Sequence, residues 1–230
     1  MKKVTRATEI LSRLKVEYPE PRCALNHRNA YELMVSTILS AQSTDVRVNM
    51  VTPELFKRFP DPASMAKADA NELKKLVHST GFFNNKTKSL LGATTRIVDT
   101  YKGNVPDTME DLLTLPGIAR KTANVILGTW FRKNEGVVVD THVHRLSHRL
   151  GLTKHNDPVK IERDLMRLFP QDEWTNLSHR LIQHGRQVCV ARVPRCAVCV
   201  LGPDVCPSYE PDPKKWKEAA KKRKRAKEAD

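Results

Sequence analysis

The chain of 230 residues sets 40 Lys and Arg against 26 Asp and Glu, a net charge of +14, and 40% of it is hydrophobic. It can bury a core in one or two domains, and its charge points to a polyanionic partner, nucleic acid first, although a basic protein without such a partner fits the same numbers. No apolar run nears the roughly 20 residues of a membrane span, and MKKVTRATEILSRLKVEYPEP lacks the apolar stretch of a secretory leader; a cytoplasmic location is expected, nucleoid-associated in a bacterium, where five cysteines are not a disulfide set.

In chain order the pattern is helix after helix. Ala30, Leu33, Met34, Thr37, Ile38 and Ala41 recur at helical spacing. DANE caps a second run through Leu73, Leu76 and Val77, which Gly81 ends. FFNNK leads into a helix to about Tyr101, and Asp107 with Glu110 marks the next start. After Pro116-Gly117, the residues Ala119, Ala123, Ile126, Leu127 and Trp130 are expected on one apolar face. GVVVD (136–140) is the one strand-like run. DTHVHRLSHRLG reads as a helix with Asp140 near its N-cap and Gly151 at its end, followed by helices near 158–169 and 172–187. Lys214–Asp230 hold nine basic and three acidic residues, so +8 lies elsewhere. This tail shows no apolar face, and it is expected to stay peripheral.

The segment LLTLPGIARKTANVILG poses the chemical question. Two helices joined through Leu115-Pro116-Gly117-Ile118-Ala119 form a tight hairpin, with Gly117 free to take backbone angles that other residues resist. Ala119 is small, and the N–H groups of the second helix point outward for a phosphate. A ligand-free structural hairpin would look similar, but Arg120 and Lys121 sit where a helix N-terminus disfavours cations. A desolvated lysine there can approach neutrality, and neutral lysine is a nucleophile that forms Schiff bases. Asp140 could manage protons and stabilise a cationic transition state; taken alone it could equally be a plain N-cap.

Four cysteines fall in the pattern Cys189-x6-Cys196-x2-Cys199-x6-Cys206. One close pair with two distant flanks suits a cuboidal iron–sulfur cluster better than zinc, which usually takes two close pairs; zinc or no metal stays open on spacing alone. Arg192 and Arg195, between the first two cysteines, are candidate phosphate contacts.

LPGIARKTANVILG with VDTHVHRLSHRLG resembles the endonuclease III family of DNA glycosylases, and LSAQSTDVRVN (39–49) and TGFFNNKTKSL (80–90) extend the likeness from about residue 8 to Pro207. The resemblance implies an all-α, two-lobed helix-hairpin-helix fold. One helical lobe spans 22–133, with its hairpin at about 109–131. Residues 1–21 and 134–211 form an iron–sulfur lobe, 212–230 a basic tail, and a cleft between the lobes holds the active site. It makes Lys121 the Schiff-base lysine and Asp140 the catalytic acid. Gln42 fills the space of an extruded base and Phe82 lies in the loop that wedges the opposite strand. Gly117, Ala119, Arg120, His142, Arg192 and Arg195 border the DNA. The four cysteines hold a [4Fe–4S] cluster. The implied activity is that of a monomeric glycosylase and abasic-site lyase on duplex DNA, excising oxidised pyrimidines and nicking by β-elimination. Ala119 replaces a glycine common in the hairpin, Val193 stands where the family often has a basic residue, and the last cysteine gap is one residue longer than usual. A monofunctional glycosylase of the same fold would lack Lys121, and a non-catalytic hairpin module would leave Asp140 and the cysteines without a role.

Overall fold

The computed structural model describes residues 2–218 and divides the chain into two compact units, Cys23–Glu135 and Met1–Arg22 with Gly136–Asp230. Helix α1 (Lys3–Glu17) opens the chain. The unit Cys23–Glu135 holds α2 (Ala30–Ser40), α3 (Asp45–Arg58), α4 (Pro62–Ala66), α5 (Ala70–Val77), α6 (Phe83–Tyr101), α7 (Met109–Leu113) and α8 (Arg120–Thr129). After it come α9 (Thr141–Arg149), α10 (Pro158–Leu168), α11 (Trp174–Gln187) and α12 (Gly202–Val205). The fold is all-helical, and no strand occurs among the described residues.

Side chains fix most of the starts. Asn29, Thr44, Asp69 and Asp157 each accept a backbone N–H of the helix that follows, and Asp61 with Ser64 closes a capping box at α4. The α7 start lies one residue beyond the expected Asp107: Thr108 is the cap, because Asp107 turns instead to the Lys133 ammonium. Helix α2 is buried on every side from Tyr31 to Leu39, the mark of a central helix. Around it Leu55, Leu73, Leu90, Ile97, Leu112 and Ile126 complete one core. The second core gathers Ile10 and Leu14 of α1 with Leu146, Leu165, Leu177 and Leu181.

Three expectations are corrected. The run 136–140 is not a strand. No second such run exists to pair with it, and the extended segment instead buries Val137 and Val138, whose amide donates to Ser178 Oγ at 2.9 Å. On α8 only Ala123, Ile126 and Leu127 of the expected face are buried. Ala119 is the exposed N-cap, and Trp130, 39% exposed, packs edge-on against His27. The basic tail is not wholly peripheral either. Residues 213–218 are helical and bury Trp216 to 3% exposure. Its indole N–H donates to the Arg192 carbonyl at 3.0 Å, and the Arg149 guanidinium lies 4.7 Å from the ring centroid. The remainder of the tail, from 219, lies outside the described residues. Large aromatic-to-alanine changes in packed sites cost about 3–5 kcal/mol. Trp216→Ala should therefore lower stability by about that much in denaturant unfolding, and a change below about 0.5 kcal/mol would place Trp216 among ordinary surface residues.

Candidate functional site

The hairpin is built on a type II turn. Ile118 N donates to Leu115 O at 3.1 Å, Pro116 presets the first central position, and Gly117 takes φ +81° at the second. A side chain at 117 would be excluded twice, because a Cβ there would sit 2.5 Å from Ser89 Cβ of α6. Pro116 packs alongside, and a Cβ on Gly92 would lie 3.1 Å from its Cγ. Helix α8 then begins without a side-chain cap and without an acidic residue in its first turn. Its positive end is therefore uncompensated by its own side chains. Arg120 and Lys121 are exposed there, so the desolvation expected of Lys121 is not present.

Gln42 and Phe82 share a backbone property. Both lie in the left-handed region, at φ +53° and +48°, and both are exposed, Phe82 to 62%. Ser43 N donates to Ser40 O at 3.0 Å across Ala41 (φ −57°, ψ 113°), so Gln42 occupies the position of a type II turn that Gly117 fills in the hairpin. Phe82 follows Gly81 (φ +73°) and is the N-cap of α6 with no side-chain bond to offer. Lys102 and Arg132 are also left-handed, and like Gln42 they follow helix ends, where that conformation recurs. For Gln42 and Phe82 it costs roughly 1–3 kcal/mol each, a cost that tends to gather at functional sites.

Asp140 is both a cap and a poised carboxylate. Its Oδ1 accepts the amides of His142 and Val143, each at 2.8 Å, and its Oδ2 lies 3.0 Å from His142 Nδ1. One oxygen is thus committed to α9, and the other faces a ring that can turn a proton toward it. His142 is half-buried with its ring edge against Gly185, where a Cβ would come within 3.2 Å.

The four cysteines line one cavity with His184 and Trp216. None is in a disulfide, and no three ligand-type side chains among the described residues converge as they would on a single ion. A cuboidal cluster needs less convergence, since each thiolate binds its own iron. Burial pushes the Cys206 thiol up to about 11 and raises Cys199 too, so these thiols want a cation before they ionise. Arg149 aims Nη1 at Cys189 Sγ, 3.3 Å away, while also donating to the Val190 and Ala191 carbonyls. The donor set fits an iron–sulfur cluster. Arg192 and Arg195 extend into solvent from this loop. The longer last gap forms α12, held where Arg13 pairs with Asp204 and donates to the Val200 and Leu201 carbonyls, both at 3.2 Å. Sequence reasoning missed Arg13, Arg149 and Trp216; a single tryptophan in a lysine-rich tail was the one available signal.

Residues 35–171 match the model of the HhH-GPD superfamily of base excision DNA repair proteins. Endonuclease III of Synechocystis is 56% identical over 90% of this chain and 94% of its own length, and that of Escherichia coli 35% over 86% and 93%. The chain belongs to the endonuclease III family. It is therefore a base excision repair enzyme, a DNA glycosylase with abasic-site lyase activity. Two solved structures, a non-covalent endonuclease III–DNA complex and a trapped endonuclease III–DNA covalent intermediate, each superpose with TM-score 0.84 over 90% of this chain and 97% of theirs, at 36% and 35% identity.

Proposed function

We propose that the enzyme removes oxidised pyrimidines from duplex DNA, acting as a monomer, with Lys121 as nucleophile and Asp140 as the catalytic acid. The observation that carries this is the placement of Lys121, exposed in the first turn of an uncapped helix that follows a Pro-Gly turn. The electropositive helix end and its amides near Gly117, Ala119 and Arg120 suit a DNA phosphate, which relieves the repulsion that two cations meet there. The endonuclease III structures with DNA, one of them covalent, support both DNA binding and a covalent route.

The reaction begins when the target nucleotide is extruded; Gln42 fills the vacated space and Phe82 wedges the opposite strand. Lys121 Nζ, after giving up its ammonium proton, attacks C1′ as the C1′–N bond breaks, and the base leaves with the bond pair and takes up a proton. Asp140 stabilises positive charge on the sugar, using the oxygen not bound to the two amides of α9. Ring opening gives the Schiff base, loss of a C2′ proton breaks the C3′–O bond, and the strand is nicked on the 3′ side. Cys189, Cys196, Cys199 and Cys206 would hold a [4Fe–4S] cluster, which when bound cross-links the loop through its thiolates and draws them into the ionised form. Arg192 and Arg195 on that loop and His142 beside Asp140 contact the backbone of the DNA.

Lys121→Gln should abolish nicking and borohydride trapping while DNA binding largely survives, since one charge among many phosphate contacts is lost. Asp140→Asn should slow base release by orders of magnitude without unfolding the protein, because even complete loss of a cap costs only about 0.5–2 kcal/mol. Trapping at the wild-type rate in the first variant, or normal excision in the second, would contradict the assignment. Protein purified anaerobically should be yellow-brown and carry about four irons per chain; colourless protein with one zinc would reject the cluster.

A further inference from the structure

Lys86 lies inside the unit Cys23–Glu135, 4% exposed, yet it is a lysine and no carboxylate pairs with it among the described residues. Its Nζ donates to two backbone carbonyls, Leu39 O and Thr80 O, both at 2.7 Å. These carbonyls come from different segments. Leu39 lies in the last turn of α2, whose C-terminal carbonyls have no partner within the helix and favour a cation. Thr80 ends the short 3-10 turn that comes after α5.

Each carbonyl leads directly into a residue of the proposed site. Gln42 comes three residues after Leu39, and Phe82 two residues after Thr80. Both are exposed and both are held at positive φ, a conformation neither side chain favours. Neither turn is stabilised by its own residue type, for Gln42 occupies a glycine position and Phe82 caps a helix without a hydrogen bond. Lys86 also donates its own amide to Phe82 O at 3.1 Å. Its backbone holds one of these residues and its side chain the segments leading to both. Burial lowers the lysine below its ordinary pKa, so the position is a costly place for an ammonium unless its bonds matter.

We infer that Lys86 is a positioning residue that sets Gln42 and Phe82 together, so that filling of the vacated space and wedging of the opposite strand are coupled through one buried ammonium. This rests on the roles proposed above for Gln42 and Phe82. The coupling is needed while a base is being extruded. It matters little at a preformed abasic site, where no base has to be displaced.

The test uses the full chain and two duplexes, one with thymine glycol and one with an abasic site, in single-turnover reactions at saturating enzyme. Misplacement of about 1 Å can cost about a hundredfold in rate. Lys86→Met should slow thymine glycol release by about that factor while nicking of the abasic duplex stays near wild type. On a Gln42→Ala, Phe82→Ala background, adding Lys86→Met should change nothing further, because the elements it positions are already gone. Leu73→Ala, a cavity in the same core, is the control for lost stability and should slow both substrates alike, if at all. If Lys86→Met does not fold, Lys86→Gln, whose shorter amide reaches less well, carries the same comparison. Equal slowing of both substrates, or a full further loss on the double-alanine background, would show Lys86 to be fold support only. If Gln42→Ala and Phe82→Ala themselves leave excision unchanged, the roles assigned to those residues fail first and the inference fails with them.

Discussion

The turn Pro116-Gly117 rests directly on helix α6, with no room for a side chain between them. The hairpin depends on that seating. Gly117 meets Ser89, Pro116 meets Gly92, and the turn so fixed decides where α8 begins and where Lys121 emerges. One helical turn earlier on α6, Lys86 gathers the segments that lead to Gln42 and Phe82. A single helix thus carries the register of Lys121, the proposed nucleophile, and of Gln42 and Phe82, proposed to probe the duplex. The glycine that the sequence offers for its backbone angles is also a packing requirement.

The other unit shows polar groups with two tasks each. Asp140 caps α9 with one oxygen and keeps the other beside His142. Arg149 faces a cysteine sulfur, three loop carbonyls and the face of Trp216 at once. Satisfying backbone carbonyls in an irregular loop demands such donors, since the loop has no ladder to absorb them. The loop that bears Arg192 and Arg195 is therefore anchored from behind by Arg149 and Trp216, and α12 by Arg13. These contacts hold the cysteines' surroundings through protein groups, beside whatever a cluster would add.

Local chemistry was the legible part. The Pro-Gly turn, the cap at Asp140, Gly81 and Gly151 at helix ends, and the buried stripes of α5 and α8 arise from short-range preferences, so they could be read from neighbouring residues. Gln42 could not be read this way, because nothing in its side chain announces a left-handed turn; only the likeness of LSAQSTDVRVN to a family singled it out. The run 136–140 misled because burial on all sides looks alike in a strand and in an extended connector. Lys86, Arg13, Arg149 and Trp216 act through partners distant in sequence, and in the sequence a buried cation looks like a surface one. Ala119 and Trp130 kept the helical period but fell at its ends, where the face is already leaving the core.

The central claim is that the amine at the second position of α8 becomes covalently joined to the sugar. Borohydride trapping on abasic DNA, with trypsin digestion and peptide sequencing by mass spectrometry, tests it without altering any residue. A modified lysine resists trypsin, so the adduct is expected on the peptide KTANVILGTWFR, residues 121–132, with the sugar remnant on Lys121. An adduct on another lysine or on the N-terminal amine, with 121–132 recovered only as its unmodified fragments, would contradict the account.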